Sequence, residues 1–364
     1  MRKRLGLKLI DLYIIRKFIG TYFYAIILIV GIAVIFDISE KLDDFMERGA
    51  PLKGIIFEYY LNFIPYFANL FSSLFTFIAV IFFTSNMAYN TEIIAILSSG
   101  VDFKRMMLPY MISATIIAIF SFLLTSFIIP PANAVRLDFE NTYIKKPYQS
   151  SERNIHRQVR PGIYVYMEAY NSFSQVGYKF SMEHIENGKL YSKLISDYAK
   201  WDSTKNKWNI QNYYIRNYNE DKEDIIAGDD LDTSFYLTPK DFNTRLNIVE
   251  TMNMFQLNDY IAQQRLQGAD TVEYLLIEKH SRIAYPFSTF ILTLIGVSLS
   301  SRKVRGGLGL HIGLGLTLSF SYILFIRFST MFAVGGHLPP GISVWIPNIL
   351  FAFIAAGLYK IAPK

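Results

Sequence analysis

Cysteine is absent from this chain of 364 residues, which excludes disulfides, thiolate metal sites, iron–sulfur clusters and a cysteine nucleophile together. No Gly-x-x-x-x-Gly-Lys-Ser/Thr sequence occurs, so no P-loop is present to hydrolyse ATP. A Gly-x-Ser-x-Gly elbow is missing, and the histidines His156, His184, His280, His311 and His337 are scattered without metal-ligand spacing. Catalysis and a resident cofactor or metal therefore have no support in the sequence. The glycine-rich stretch 307–315 has the wrong spacing for a dinucleotide loop and succeeds no strand. Its Gly309 and Gly313, four apart, instead suit the close packing of two membrane helices. A small-residue cleavage site is also lacking, so the first apolar run is expected to remain as a span.

What the chain holds in abundance is apolar and aromatic: 52% hydrophobic residues, with 30 Phe and 25 Tyr. That composition indicates a membrane protein. Runs long enough to cross a bilayer, which takes roughly 20 helical residues, lie at about 12–36, 55–83, 106–129, 282–299, 308–334 and 342–361. Pro130-Pro131 is expected to end the third helix. Between the third and fourth spans, residues 132–278 are charged and carry no spanning run. Within them Ile163–Tyr170 alternates with period two, and Lys189–Trp201 and Lys207–Tyr218 read as paired strands around the turn Asp202–Asn206. Phe255–Gly268 reads as a short helix. The fold class is thus six transmembrane helices with an all-β, sandwich or jelly-roll-like domain inserted between helices 3 and 4. The domains are expected at 1–131, 132–278 and 279–364.

The net charge of +6 sits beside the apolar spans and sets orientation, so nucleic acid is not an expected partner. Four basic residues lie in the N-terminal arm, two at Lys104 and Arg105, and three in Ser301–Arg305, while Gly335–Gly341 has none. Counting helices puts these basic segments on one side, with both termini and the 90–105 loop cytoplasmic and the β domain outside, in the periplasm.

Three features invite functional readings. Residues 90–100 form a short helix, with Asn90 or Thr91 as N-cap, Ile93, Ile96 and Leu97 on one face, Gly100 as the left-handed C′ residue, and Asp102 to cap the next helix. Its apolar stripe fits a protein partner and the membrane surface equally well. Arg327, inside the fifth run, either snorkels to the interface or faces a cavity, where its planar fork would suit phosphate. Lys41, Arg136, Lys145 and Lys146 cluster near the outer ends of the first and third spans and either join it or are solvated.

Several segments resemble the permease subunits of the lipopolysaccharide exporter, the LptF/LptG (YjgP/YjgQ) family. Leu12–Phe18 is similar to its opening at the first span, and Thr91–Val101 to its cytoplasmic Ser-Glu…Gly motif. Ala199-Lys200-Trp201 with Lys207-Trp208-Asn209-Ile210, Leu237-Thr238-Pro239, Leu338-Pro339-Pro340 and Pro347-Asn348 resemble later segments. Pro130-Pro131 and the tryptophan segments lean to the G-type member. The nearby basic residues of that type's first span are reduced here to Lys41.

The resemblance implies one permease of an ABC exporter in the bacterial inner membrane, extracting lipopolysaccharide. It would pair with a sister LptF/LptG-type permease, a cytoplasmic LptB-like ATPase dimer holding ATP and Mg, and a single-span, LptC-like periplasmic bridge protein. Glu92, Ile93, Ile96, Leu97 and Gly100 would then form the coupling helix that docks on the ATPase, and Lys41, Arg136 and Arg327 would contact substrate. The alternative is a membrane-anchored adaptor or sensor with a ligand-binding β domain; a lipid-modifying enzyme lacks every expected motif.

Overall fold

The computed structural model describes residues 7–145, 153–219, 222–235, 237–243, 246–269, 271–302 and 307–362. The arm residues 1–6, Lys146 and the loop 303–306 lie outside them. The chain divides into two compact units, one of Met1–Ile144, Glu250–Met254 and Glu273–Lys364, the other of Lys145–Val249 and Phe255–Val272.

The first unit is helical, and among the described residues six helical segments are long and apolar enough to cross a membrane. Helix α1 (Leu9–Glu47) runs 39 residues, about 58 Å at 1.5 Å per residue, well beyond the apolar run that announces it. It stops where Gly49 takes φ +63°, with Gly49 N–H donating to Met46 O and Ala50 N–H to Phe45 O, the paired bonds of a Schellman ending.

The second apolar run is not one span. It comprises α2 (Leu52–Gly54), a π-helical stretch Ile55–Tyr60, α3 (Leu61–Leu70), a break at Phe71, and the spanning α4 (Ser72–Tyr89). A short α5 (Glu92–Ser98) leads to α6 (Phe103–Leu123), which continues through a π turn at Leu124–Ile128 into α7 (Ile129–Tyr143). The expected stop at Pro130-Pro131 does not occur. Both prolines follow directly on the π stretch, at the start of α7, so the helix passes them where its regular i to i−4 bonding is already interrupted.

The remaining spans are α10 (Val272–Ser300), α11 (Gly307–Val334) and α12 (Pro340–Ile361). Phe18, Phe83 and Tyr110 knit α1, α4 and α6, with ring centroids 5.3–6.3 Å apart. In α1 and α11 only 22% of the spanning window is buried within the chain, against 61% in α4 and α10. Among the described residues no helix of this chain approaches Gly309 or Gly313, where a Cβ would meet nothing within 4 Å. The close approaches are instead at Gly296, where a Cβ would press on Val80, and at Gly315, against Ile81. Gly315 lies about 200° around the helix from Gly313 at 100° per residue, on the side that meets α4.

The second unit is built on six strands, β1 (Arg153–Arg160), β2 (Ile163–Asn171), β3 (Val176–Glu186), β4 (Lys189–Asp202), β5 (Lys207–Asn219) and β6 (Lys222–Thr233). They form one antiparallel sheet in sequence order. Every connection is therefore to a neighbour, and the crossed connections of a Greek-key jelly roll are not made among these strands. Trp201 pairs with Trp208 beside the 202–206 turn, where Asp202 accepts from Thr204 N–H, Thr204 Oγ1 and Lys205 N–H.

One sheet face carries Val165, Met167, Phe180, Leu194, Trp208 and Ile210, all buried, and Leu237 and Phe242 join the same core. Trp208 Nε1 donates to Leu237 O at 2.7 Å, which satisfies the buried indole. After β6 come α8 (Pro239–Asn243), a 3₁₀ turn (Leu246–Thr251) and α9 (Met254–Leu266), the short helix expected from the sequence.

Candidate functional site

Helix α5 is held on its inner side by its own chain. Ile93 and Ile96 are buried in one cluster with Ile14, Phe18 and Met106, and Leu97 packs at its edge. The apolar stripe thus finds its partner inside the first unit, which corrects its assignment as a docking face. What α5 presents outward is Ile94, 54% exposed, with Ala95 and Ser98 beside it. Neither Asn90 nor Thr91 caps the helix with its side chain: Thr91 is left-handed (φ +61°) and its hydroxyl turns back to Asn90 O. Gly100 does take the left-handed position, at φ +83°, and Asp102 sits at the N-cap of α6 without a side-chain bond. Glu92 accepts from Tyr13 Oη at 2.9 Å.

Elsewhere in the first unit α3, α4, α6, α7, α10 and α11 line an open cavity of about 390 Å³. Its polar lining includes Tyr66, Asn133, Glu250, Glu278, Arg282 and Arg327, and Leu70, Phe71, Leu74, Ile323 and Ile326 supply apolar wall. Arg282, nearly fully buried, pairs with Glu278 (3.0 Å) one turn before it and donates to Met252 O (2.6 Å). A cavity that is apolar over much of its wall and charged at a few fixed points suits an amphiphile with an ionic head.

Of the cations expected there, Arg327 lines the cavity and, unlike Arg136 and Arg282, forms no ion pair among the described residues. Arg136 is buried. Its guanidinium lies 3.4 Å from Glu140 and 3.6 Å from Glu250, over the Tyr66 ring at 4.7 Å from its centroid. Lys41 is also committed: its ammonium sits 2.6 Å from Asp37 and bonds the Tyr59 hydroxyl, while Tyr59 and Tyr60 also donate to Asp37. Lys41 and Arg136 are thus members of internal ion pairs, and not solvated surface charges.

Glu250, Arg282 and the pair Asp11–Arg105 are not among the residues that sequence motifs single out. Glu278 and Arg282 do leave a trace in their i, i+4 spacing on a helix, and Asp11 in being an acid at the head of an apolar run. Glu250 gives no local signal, because only the fold brings it to Arg136.

Six helices long and apolar enough to cross a membrane, a cavity that mixes apolar wall with a few charges and an inserted β unit mark a polytopic membrane protein. The family model described as lipopolysaccharide export system permease LptF/LptG matches residues 12–361, and the chain belongs to that family. It is accordingly an inner-membrane transport subunit for lipopolysaccharide export, not itself an enzyme. No curated protein matches the chain.

Proposed function

We propose that this chain is one permease of an ABC exporter, reading as the G-type member, that draws lipopolysaccharide out of the inner membrane. It passes the lipid to a periplasmic, LptC-like bridge protein. A sister LptF/LptG-type permease completes the membrane path, and an LptB-like ATPase dimer on the cytoplasmic side holds ATP and Mg. Both termini and α5 face the cytoplasm, and the β unit faces the periplasm. Glu92, Ile93, Ile96, Leu97 and Gly100 shape and seat the coupling helix, and Ile94 is its contact face. Among the substrate contacts, Arg327 meets an anionic headgroup directly, Arg136 holds the cavity-lining Tyr66 and Glu250 in place, and Lys41 is a further contact outside the cavity.

The observation that supports this reading best is the build of α5. It is a single rigid turn pair, sealed on its inner face by buried isoleucines, with an uncovered isoleucine on the outer face. Such an element transmits a push from outside without deforming. Replacing Ile94 with Asp, or Glu92 with Lys, is expected to abolish recovery of the ATPase with the purified permease while membrane insertion stays normal. Full ATPase recovery in both variants would remove α5 as the docking element and favour the adaptor or sensor reading.

A further inference from the structure

The beginning of α1, helix α5 and the beginning of α6 are joined by three contacts of different kinds. Arg105 Nη1 and Nη2 donate to the two oxygens of Asp11 at 2.7 and 2.6 Å. Lys8 N–H donates to the same carboxylate at 2.7 Å, and Asp11 is 1% exposed. Tyr13, half a turn on, donates to Glu92. Between these, Ile14 packs in one cluster with Ile93 and Ile96.

An apolar contact alone lets two helices slide. A bidentate guanidinium–carboxylate pair does not, because both distance and angle are fixed by two parallel bonds. An ion pair is also a poor choice where stability alone is wanted, since burying a carboxylate costs about as much as the pairing returns. Its gain is geometric.

We infer that Asp11 and Arg105 are positioning residues that lock the first turn of α1 to the first turn of α6, so that these two helix starts and α5, which packs on both, move as one rigid body. A displacement of α5 is then delivered to α1 as well as to α4 and α6, to which α5 is joined through the chain. Helix α1 is a fitting recipient: it is 39 residues long and little of its spanning surface is held by the rest of the unit, so it shifts at low cost. This rests on the proposed role of α5 as the element the ATPase moves.

The test uses the exporter purified from its own membrane with the ATPase that accompanies it, reconstituted with lipopolysaccharide. ATP hydrolysed and lipopolysaccharide transferred to the bridge protein are measured on the same vesicles. Arg105→Gln and Asp11→Asn are expected to keep ATPase recovery and hydrolysis. Transfer per ATP is expected to fall on the order of tenfold, within the usual range for coupling between sites. Arg105→Lys, which keeps the charge but loses the fork, restores part of it, and Tyr13→Phe gives a smaller fall.

An unchanged ratio of transfer to ATP in these variants overturns the inference, as does a proportional loss of ATPase recovery and transfer, the mark of a merely structural pair. If Asp11→Asn fails to insert, the half-exposed Arg105 and Tyr13 variants decide. Absence of any ATPase with the unaltered protein would instead sink the functional reading on which the inference rests.

Discussion

Arg136 and Arg327 look alike in the sequence, each a lone arginine near the outer end of a span, yet their surroundings separate them. Arg136 is buried between Glu140 and Glu250 over Tyr66, so Arg136→Ala removes the guanidinium shared by two carboxylates and is expected to cost about 3–5 kcal/mol of stability. Arg327 holds no such pair among the described residues, and Arg327→Ala is expected to leave the melting temperature in detergent unchanged while lowering lipopolysaccharide photocrosslinking. Equal melting temperatures for the two variants would contradict this division. Spacing could not reveal it, because the partner Glu250 is more than 100 residues from Arg136 in the chain. In the β unit, the hydrogen bonds from Thr204 hold the Asp202 carboxyl below its ordinary 3.8. Since the folded value is the lower one, the turn is firm above pH 3.8 and loosens as pH falls through that depressed value. Amide exchange at Thr204 and Lys205, followed from pH 5 downward, should accelerate only there, and a rise already at pH 5 would exclude the bond's role.

At the scale of elements, the spans and the period-two strands are legible because burial in lipid or on a sheet leaves a repeating apolar pattern. Helix lengths are not. The polar end of α1 from Asp37 on has no apolar signal but nothing that stops a helix before Gly49, and α7 passes two prolines that follow directly on the π stretch. The stripe of α5 marks a covered face, but periodicity does not say what covers it. Its cover is the chain's own α1 and α6 cluster. Ile93→Ala should therefore lower thermal stability by about 2–5 kcal/mol, the range for truncating a buried isoleucine, whereas Ile94→Ala should leave it within about 0.5 kcal/mol. A larger loss at Ile94 than at Ile93 would reverse the assignment of faces. The glycine pattern is silent for the same reason: four-residue spacing marks a smooth stripe but not which helix covers it, and within this chain the close neighbour is at Gly315, on another side of α11.

For the whole molecule, two spans stand out as only lightly held by their own chain, α1 and α11, and the helical unit holds an open cavity that mixes apolar wall with a few fixed charges. Family membership makes the chain a lipopolysaccharide export permease, and its proposed place is as half of an ATP-driven pair. The most direct test is native mass spectrometry of the complex drawn from its own membrane in mild detergent. One sister permease, two ATPase copies and a glycolipid mass travelling with this chain are the predicted result. A monomer or homodimer that reproducibly lacks both ATPase and glycolipid would contradict it.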